Sequence, residues 1–107
     1  MIVSDFNFSK PDEIVKQLCE RLRTERLAQQ MTQSDLAGRA GVGVTTVSNL
    51  EAGRNVGMET VVRVAVVLGR SKELEALFLP RLESVDDIRR YERSTRRQRV
   101  KRAPTDA

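Results

Sequence analysis

The chain has 107 residues, 39% apolar and 32% charged, which suits one small domain with extensions and a modest core. With no His and a single cysteine, Cys19, an internal disulfide is excluded, and a metal site would be left with carboxylates that show no clustered set. The net charge of +4 is uneven: Arg89, Arg90, Arg93, Arg96, Arg97, Arg99, Lys101 and Arg102 stand against one acid, Glu92, giving +7 between Ile88 and Arg102 and −3 elsewhere.

Residues 1–9 hold Ile2, Val3, Phe6 and Phe8, an apolar extension read as a strand or a strap. Met1 to Phe6 has no basic n-region and no long apolar stretch, so no secretory signal is expected. Ser9, Pro11 and Asp12 mark a helix start, and the first helix is expected from about Lys10 to Gln29. Ile14, Val15, Leu18, Cys19 and Leu22 recur at three- and four-residue steps. They form a buried stripe on which Cys19 is a small core residue rather than a reactive thiol.

Thr32 with Asp35 three residues on is a reciprocal cap for a second helix whose Leu36, Ala37 and Ala40 face inward. Gly41 supplies the positive φ of a tight turn, and Gly43 caps a third helix, Val44 to Glu51. Val47 and Leu50 point into the core there, and Ala52-Gly53 ends it. After the Arg54–Gly57 loop, a fourth helix covers Met58 to Leu68 with Val61, Val64, Ala65 and Leu68 inward. Val62, Val66 and Val67 make its other side apolar too, to be covered by a dimer partner or by flanking helices. Gly69 stops it. Ser71, Leu74, Leu77 and Phe78 make a fifth helix that Pro80 ends. Ser84 with Asp87 caps a sixth, carrying Val85, Ile88 and Tyr91 ahead of the arginines, and the end from Arg102 to Ala107 frays. The expected division is an extension 1–9, a domain 10–79 and a basic helix or tail 80–107. No apolar run approaches the ~20 residues that cross a bilayer, and a lone Cys suits a reducing cytoplasm.

The stretch from Thr32 to Gly53 therefore reads as two short helices joined by a glycine turn, the build of a helix-turn-helix that lays its second helix in the DNA major groove. The outer face of that helix, Val44, Thr45, Ser48 and Asn49, is short-chained and uncharged, where an ordinary surface carries more Glu and Lys. Asn pairs bidentately with adenine, and Thr bonds a base or touches a thymine methyl. Thr45 and Asn49 are expected at base edges, while Val44 meets a methyl or tucks partly into the core. Gln33 opens the second helix, where its amide can bond a phosphate or base, brace a recognition-helix side chain, or simply cap. Thr46, Arg54 and Asn55 are candidate phosphate clamps, and Arg39 is either another or a solvated charge. An enzyme is not expected: there is no His, no nucleophile–base pair, and Gly41-Val42-Gly43 is too short for a phosphate-cradling loop. No cofactor is implied.

From Leu18 to Gly69 the chain resembles the lambda-repressor/Cro-like (Xre) helix-turn-helix family. The resemblance is carried in register by Leu22-Arg23, Arg26, Met31-Thr32-Gln33, Leu36-Ala37, Gly41-Val42, Val47-Ser48, Leu50-Glu51, Gly53, Glu59-Thr60, Ala65 and Leu68-Gly69. It implies a compact, all-α, five-helix domain that binds a two-fold double-stranded operator as a homodimer and represses transcription. It also implies a partly buried structural ion pair between Arg26 and Glu51. The chain departs from the family pattern at Gly43, where Ser or Thr is common, and in lacking a Pro before the fourth helix; one capping bond and a phosphate contact go with them. Leu77-Phe78-Leu79-Pro80 and the arginine-rich end resemble HipB-like antitoxins. That resemblance implies the autorepressor of a toxin–antitoxin operon with a HipA-like kinase toxin as protein partner. The alternatives are a stand-alone phage- or host-type repressor, or an antitoxin that mainly sequesters its toxin. The arginine arm has three readings: DNA phosphates and minor groove, an acidic protein such as the toxin, or RNA.

Overall fold

The structure is a computed structural model that describes residues 10–54 and 57–102, apart from the side chains of 98–102. It contains α1 (Pro11–Ala28), α2 (Gln33–Ala40), α3 (Val44–Glu51), α4 (Met58–Val67), α5 (Ser71–Glu75) and α6 (Val85–Arg102), with no strand among the described residues. The chain divides into two units between Glu75 and Ala76. The strap at 1–9, the Ser9 cap, Asn55 and the fraying of 103–107 lie outside the described residues.

α1 begins after Lys10 rather than Ser9. Pro11 at the first helical position forces the preceding residue into an extended conformation, and Lys10 has ψ 157°. Its backbone N–H donates to Glu13 Oε1 at 3.1 Å. At α2 the reciprocal cap forms: Thr32 Oγ1 accepts from the Asp35 N–H at 2.9 Å, and Asp35 Oδ2 accepts from the Thr32 N–H at 3.1 Å. Bonds from the Thr32 backbone and then its side chain hold the Asp35 carboxyl below the usual range. α2 ends at Gly41, φ 74°, where the Val42 N–H reaches back to the Ala37 carbonyl at 3.0 Å. α3 ends in a like manner before Gly53, φ 76°, where an added Cβ would stand 2.9 Å from Lys16 Cγ. A side chain there would meet both the left-handed backbone and the flank of α1.

α2 packs on α3 and α4, α1 on α3, and α4 on α5. They enclose Cys19, Met31, Leu36, Ala37, Ala40, Val47, Leu50, Val64 and Leu68. Leu36, Leu50, Val47 and Val64 are fully buried, each worth roughly 1.5–3 kcal/mol of removed apolar surface. The apolar stripe expected on α1 is buried only in part. Cys19 lies in the core with Leu22 packed against it, but Val15 and Leu18 are 37% and 46% exposed. At about 100° per residue Leu18 stands about 100° round the helix from Cys19, at the edge of the buried face, and Val15 lies one turn nearer the helix start. The fifth helix is also shorter than expected. It stops at Glu75, leaving Leu77 and Phe78 exposed in the second unit. Pro80 disfavours helix at Leu79 before it, and Phe78 already takes φ 58°.

Candidate nucleic-acid interface

α3 presents one end and buries the other. Val44, Thr45 and Thr46 in its first turn are exposed, Ser48 and Asn49 are half-buried, and Val47, Leu50 and Glu51 are buried. At about 100° per residue, Thr45 and Asn49 share one stripe opposite the fully buried Val47. Val44 lies toward the core side yet is 46% exposed, because it precedes the turn that the core covers. Ser48 and Asn49 are less open than the outward reading expected, since the helix sinks into the domain toward Glu51. Gly43 offers no side-chain cap to the first-turn N–H groups of α3.

The buried end is tied down by charge. Arg26 Nε donates to Glu51 Oε2 at 2.6 Å and Nη2 to Glu51 Oε1 at 3.0 Å, while Nη1 donates to the Met31 carbonyl at 2.7 Å. Gln33 Nε2 donates to the same Glu51 Oε1 at 2.9 Å. The Glu51 carboxylate therefore ties α1 and the first residue of α2 to the last residue of α3, and the same Arg26 side chain also holds the α1–α2 connection at Met31. Burial pushes the Glu51 carboxyl up, but the bonds from Arg26 and Gln33 and the charges of Arg26 and Arg23 outweigh it, so it stays below the usual range. Among the described residues no buried side-chain nitrogen or oxygen lacks a partner. Gln33 is half-buried, and its side-chain hydrogen bond to Glu51 braces α3.

Of the phosphate candidates, Thr46, Arg54 and Arg39 are exposed and Asn55 is undescribed. Arg54 follows the end of α3, its N–H donating to the Asn49 carbonyl at 2.9 Å. Arg39 stands apart in the last turn of α2. On α4, Val62 and Val66 are 40% and 57% exposed, but Val67 packs against the core and is removed from the outer face. It stands about 60° from buried Val64, whereas Val62 and Val66 each stand about 160° from it. In α6, Arg89, Arg90, Arg93, Arg96 and Arg97 are all exposed, and the side chains of Arg99, Lys101 and Arg102 are undescribed.

Three supporting contacts escape sequence reasoning. Arg63 Nη1 donates to the Ala40 carbonyl at 3.3 Å, at the turn between α2 and α3. Gln29 Nε2 donates to the Leu68 carbonyl at 2.9 Å, and Arg70 joins Glu25 at 2.7 Å and also Glu73. The Glu59–Arg63 spacing is visible in the sequence as a helical i,i+4 pair, but the reach to Ala40 depends on how α4 crosses α2.

A helix-turn-helix family model matches residues 22–74, from Leu22 in α1 to Leu74 in α5. That range takes in Arg26, Gln33, Glu51 and all of α3. No curated protein matches the chain. No helix among the described residues is long and apolar enough to cross a membrane. With an outward-facing second helix held by a buried carboxylate and the family match across it, the chain belongs to the lambda-repressor-like (Xre) helix-turn-helix family and is a DNA-binding transcription regulator.

Proposed function

We propose that the protein is a sequence-specific repressor that binds a two-fold operator as a homodimer. The observation that carries this reading is the uncharged polar stripe of Thr45 and Asn49 on the outward side of α3. Thr45 and Asn49 read base edges, Ser48 and Val44 line the same groove wall, and Gln33 sets the angle of the helix through Glu51. Thr46, Arg39, Arg54 and Asn55 position the domain on phosphates without reading sequence. The apolar outer face of α4, Met58, Val62 and Val66, is covered by the second copy. The test is selection from a random duplex pool. Enriched duplexes are expected to carry two inverted half-sites whose centres lie about one helical turn, or a multiple of it, apart. A Val62→Glu/Val66→Glu variant is expected to sediment as a monomer and to select single half-sites. No enrichment by the intact chain would refute the reading.

A second function rests on a separate observation. Leu77, Phe78, Leu79 and Leu82 are 49%, 93%, 62% and 54% exposed, a run of large apolar side chains suited to a protein partner. In the antitoxin reading this run docks a HipA-type kinase toxin encoded beside it, and DNA binding serves autoregulation. Coexpression with such a neighbour is expected to yield a complex that Phe78→Asp disrupts. Separate elution of the two intact proteins makes the chain a stand-alone repressor.

A further inference from the structure

The arginines of α6 are not used by the recognition unit, and they are not equivalent. Arg90 is occupied within its own helix: its guanidinium lies 3.6 Å from Asp87 Oδ1 and 5.0 Å from the centre of the Tyr91 ring. Among the described residues no ion pair holds Arg89, Arg93, Arg96 or Arg97, and all four are exposed. At about 100° per residue these four fall within an arc of about 100°, over an axial rise of about 12 Å. Ile88, Tyr91 and Thr95 occupy the other side. The helix thus carries a continuous guanidinium stripe with its charge unspent.

We propose that α6 is a second DNA-contacting element, whose Arg89, Arg93, Arg96 and Arg97 clamp duplex phosphates beside the operator without regard to sequence. The inference rests on the DNA-binding role of the first unit and adds a separate surface to it. The basic residues from Ile88 to Arg102 are seven Arg and one Lys, and the guanidinium forks match carboxylates and phosphates alike. Two observations favour duplex DNA over an acidic protein. A duplex presents one negative charge per ~1.7 Å of axis, so 12 Å of it offers about seven charges to four arginines. Only nine residues, Ala76–Ser84, separate α5 from α6, a link of at most about 30 Å. DNA held by the first unit is therefore at high effective concentration for the second.

The experiment measures binding of the full chain and of an Arg89→Gln/Arg93→Gln/Arg96→Gln/Arg97→Gln variant as a function of KCl concentration. The probes are a selected operator duplex with ten flanking base pairs on each side and a scrambled duplex of equal length. Circular dichroism checks that the helix survives, and the corresponding four-lysine variant checks that charge is the cause. Each neutralised phosphate steepens the log–log salt slope by about 0.9, so the glutamine variant is expected to flatten it by about 3–4 for each protomer bound, with lysine restoring most of it. Between 50 and 200 mM salt that difference is roughly a hundredfold in relative affinity per protomer. The ratio of operator to scrambled affinity is expected to be unchanged, because phosphates carry no sequence. A slope altered by less than about one overturns the proposal; if the same variant also loses binding to poly-L-glutamate, the stripe serves an acidic protein. A flattened slope with no preference between the two duplexes in either protein upholds the α6 clamp while refuting sequence-specific reading by α3.

Discussion

Glu51→Ala is expected to cost about 3–5 kcal/mol of folding stability at neutral pH, because it strands the Arg26 guanidinium in a site from which water is excluded. Arg26 and Glu51 are 6% and 7% exposed, so solvent screening does little to soften the loss. Gln33 also loses its acceptor. At about 4–8 °C per kcal/mol for a domain of this size, the melting temperature should fall by well over ten degrees. The pH dependence has a definite sign. Glu51 is held below its usual range by its partners, so its contribution is complete above the ordinary Glu value of about 4.3 and is lost as pH falls through the lowered one. The intact protein should therefore lose part of its stability below about pH 4.3, and Glu51→Gln should remove that part of the acid transition. An Arg26→Met/Glu51→Leu double variant separates the stranded charge from the pair itself. It is expected to recover most of the loss, short of about 1–3 kcal/mol for the Met31 carbonyl left without the Arg26 bond. A double variant no more stable than Glu51→Ala would mean the pair stabilises by attraction rather than by mutual neutralisation. Chemical denaturation of the four proteins decides between them.

The parts of this fold that are legible in the sequence are those decided within a few residues. The Thr32–Asp35 cap, the Ser84 hydroxyl accepting from the Asp87 N–H at 3.1 Å, and the left-handed Gly41 all depend on local spacing. So do the inward faces of α2, α3 and α4, where short helices leave little choice of stripe. Long elements and long contacts are less legible. The periodicity of α1 marks Val15 and Leu18 as apolar but does not say which edge of the stripe its neighbours cover. The end of α5 depends on Phe78 and Pro80 together, and the apolar spacing of Leu74, Leu77 and Phe78 carries the helix pattern past the real stop. At the site, the outward stripe of α3 can be read from period alone, since Val47 and Leu50 leave Thr45 and Asn49 one way to point. The bond of Gln33 to Glu51 spans eighteen positions. It becomes visible only when the crossing of α2 over α3 sets the distance. The same holds for Arg63 at Ala40 and Gln29 at Leu68, whose partners are carbonyls that every residue possesses.

Thr45→Ala and Asn49→Ala are each expected to weaken binding to a selected operator by about 1–3 kcal/mol, or roughly fivefold to a hundredfold, while random duplexes bind as before. The asymmetry follows from what the side chains are. Neither is charged, so neither contributes counterion release, and the salt slope should not change. Thr45 is exposed and Asn49 only half-buried, with the inner face of α3 already supplied by Val47, Leu50 and Glu51, so the melting temperature should move little. Arg54→Gln is expected to give the opposite pattern: an even loss across all duplexes and a slope flatter by about one for each protomer bound. The paired outcome distinguishes reading from holding, which affinity alone cannot do. Glu51→Ala is the control that links the two, since it leaves Thr45 and Asn49 intact but frees the helix that carries them. In its folded fraction, operator preference should fall as it does in Asn49→Ala. If Thr45→Ala and Asn49→Ala lower affinity equally for operator and random duplexes, α3 contacts DNA only as a scaffold, and the source of sequence preference lies elsewhere on the chain.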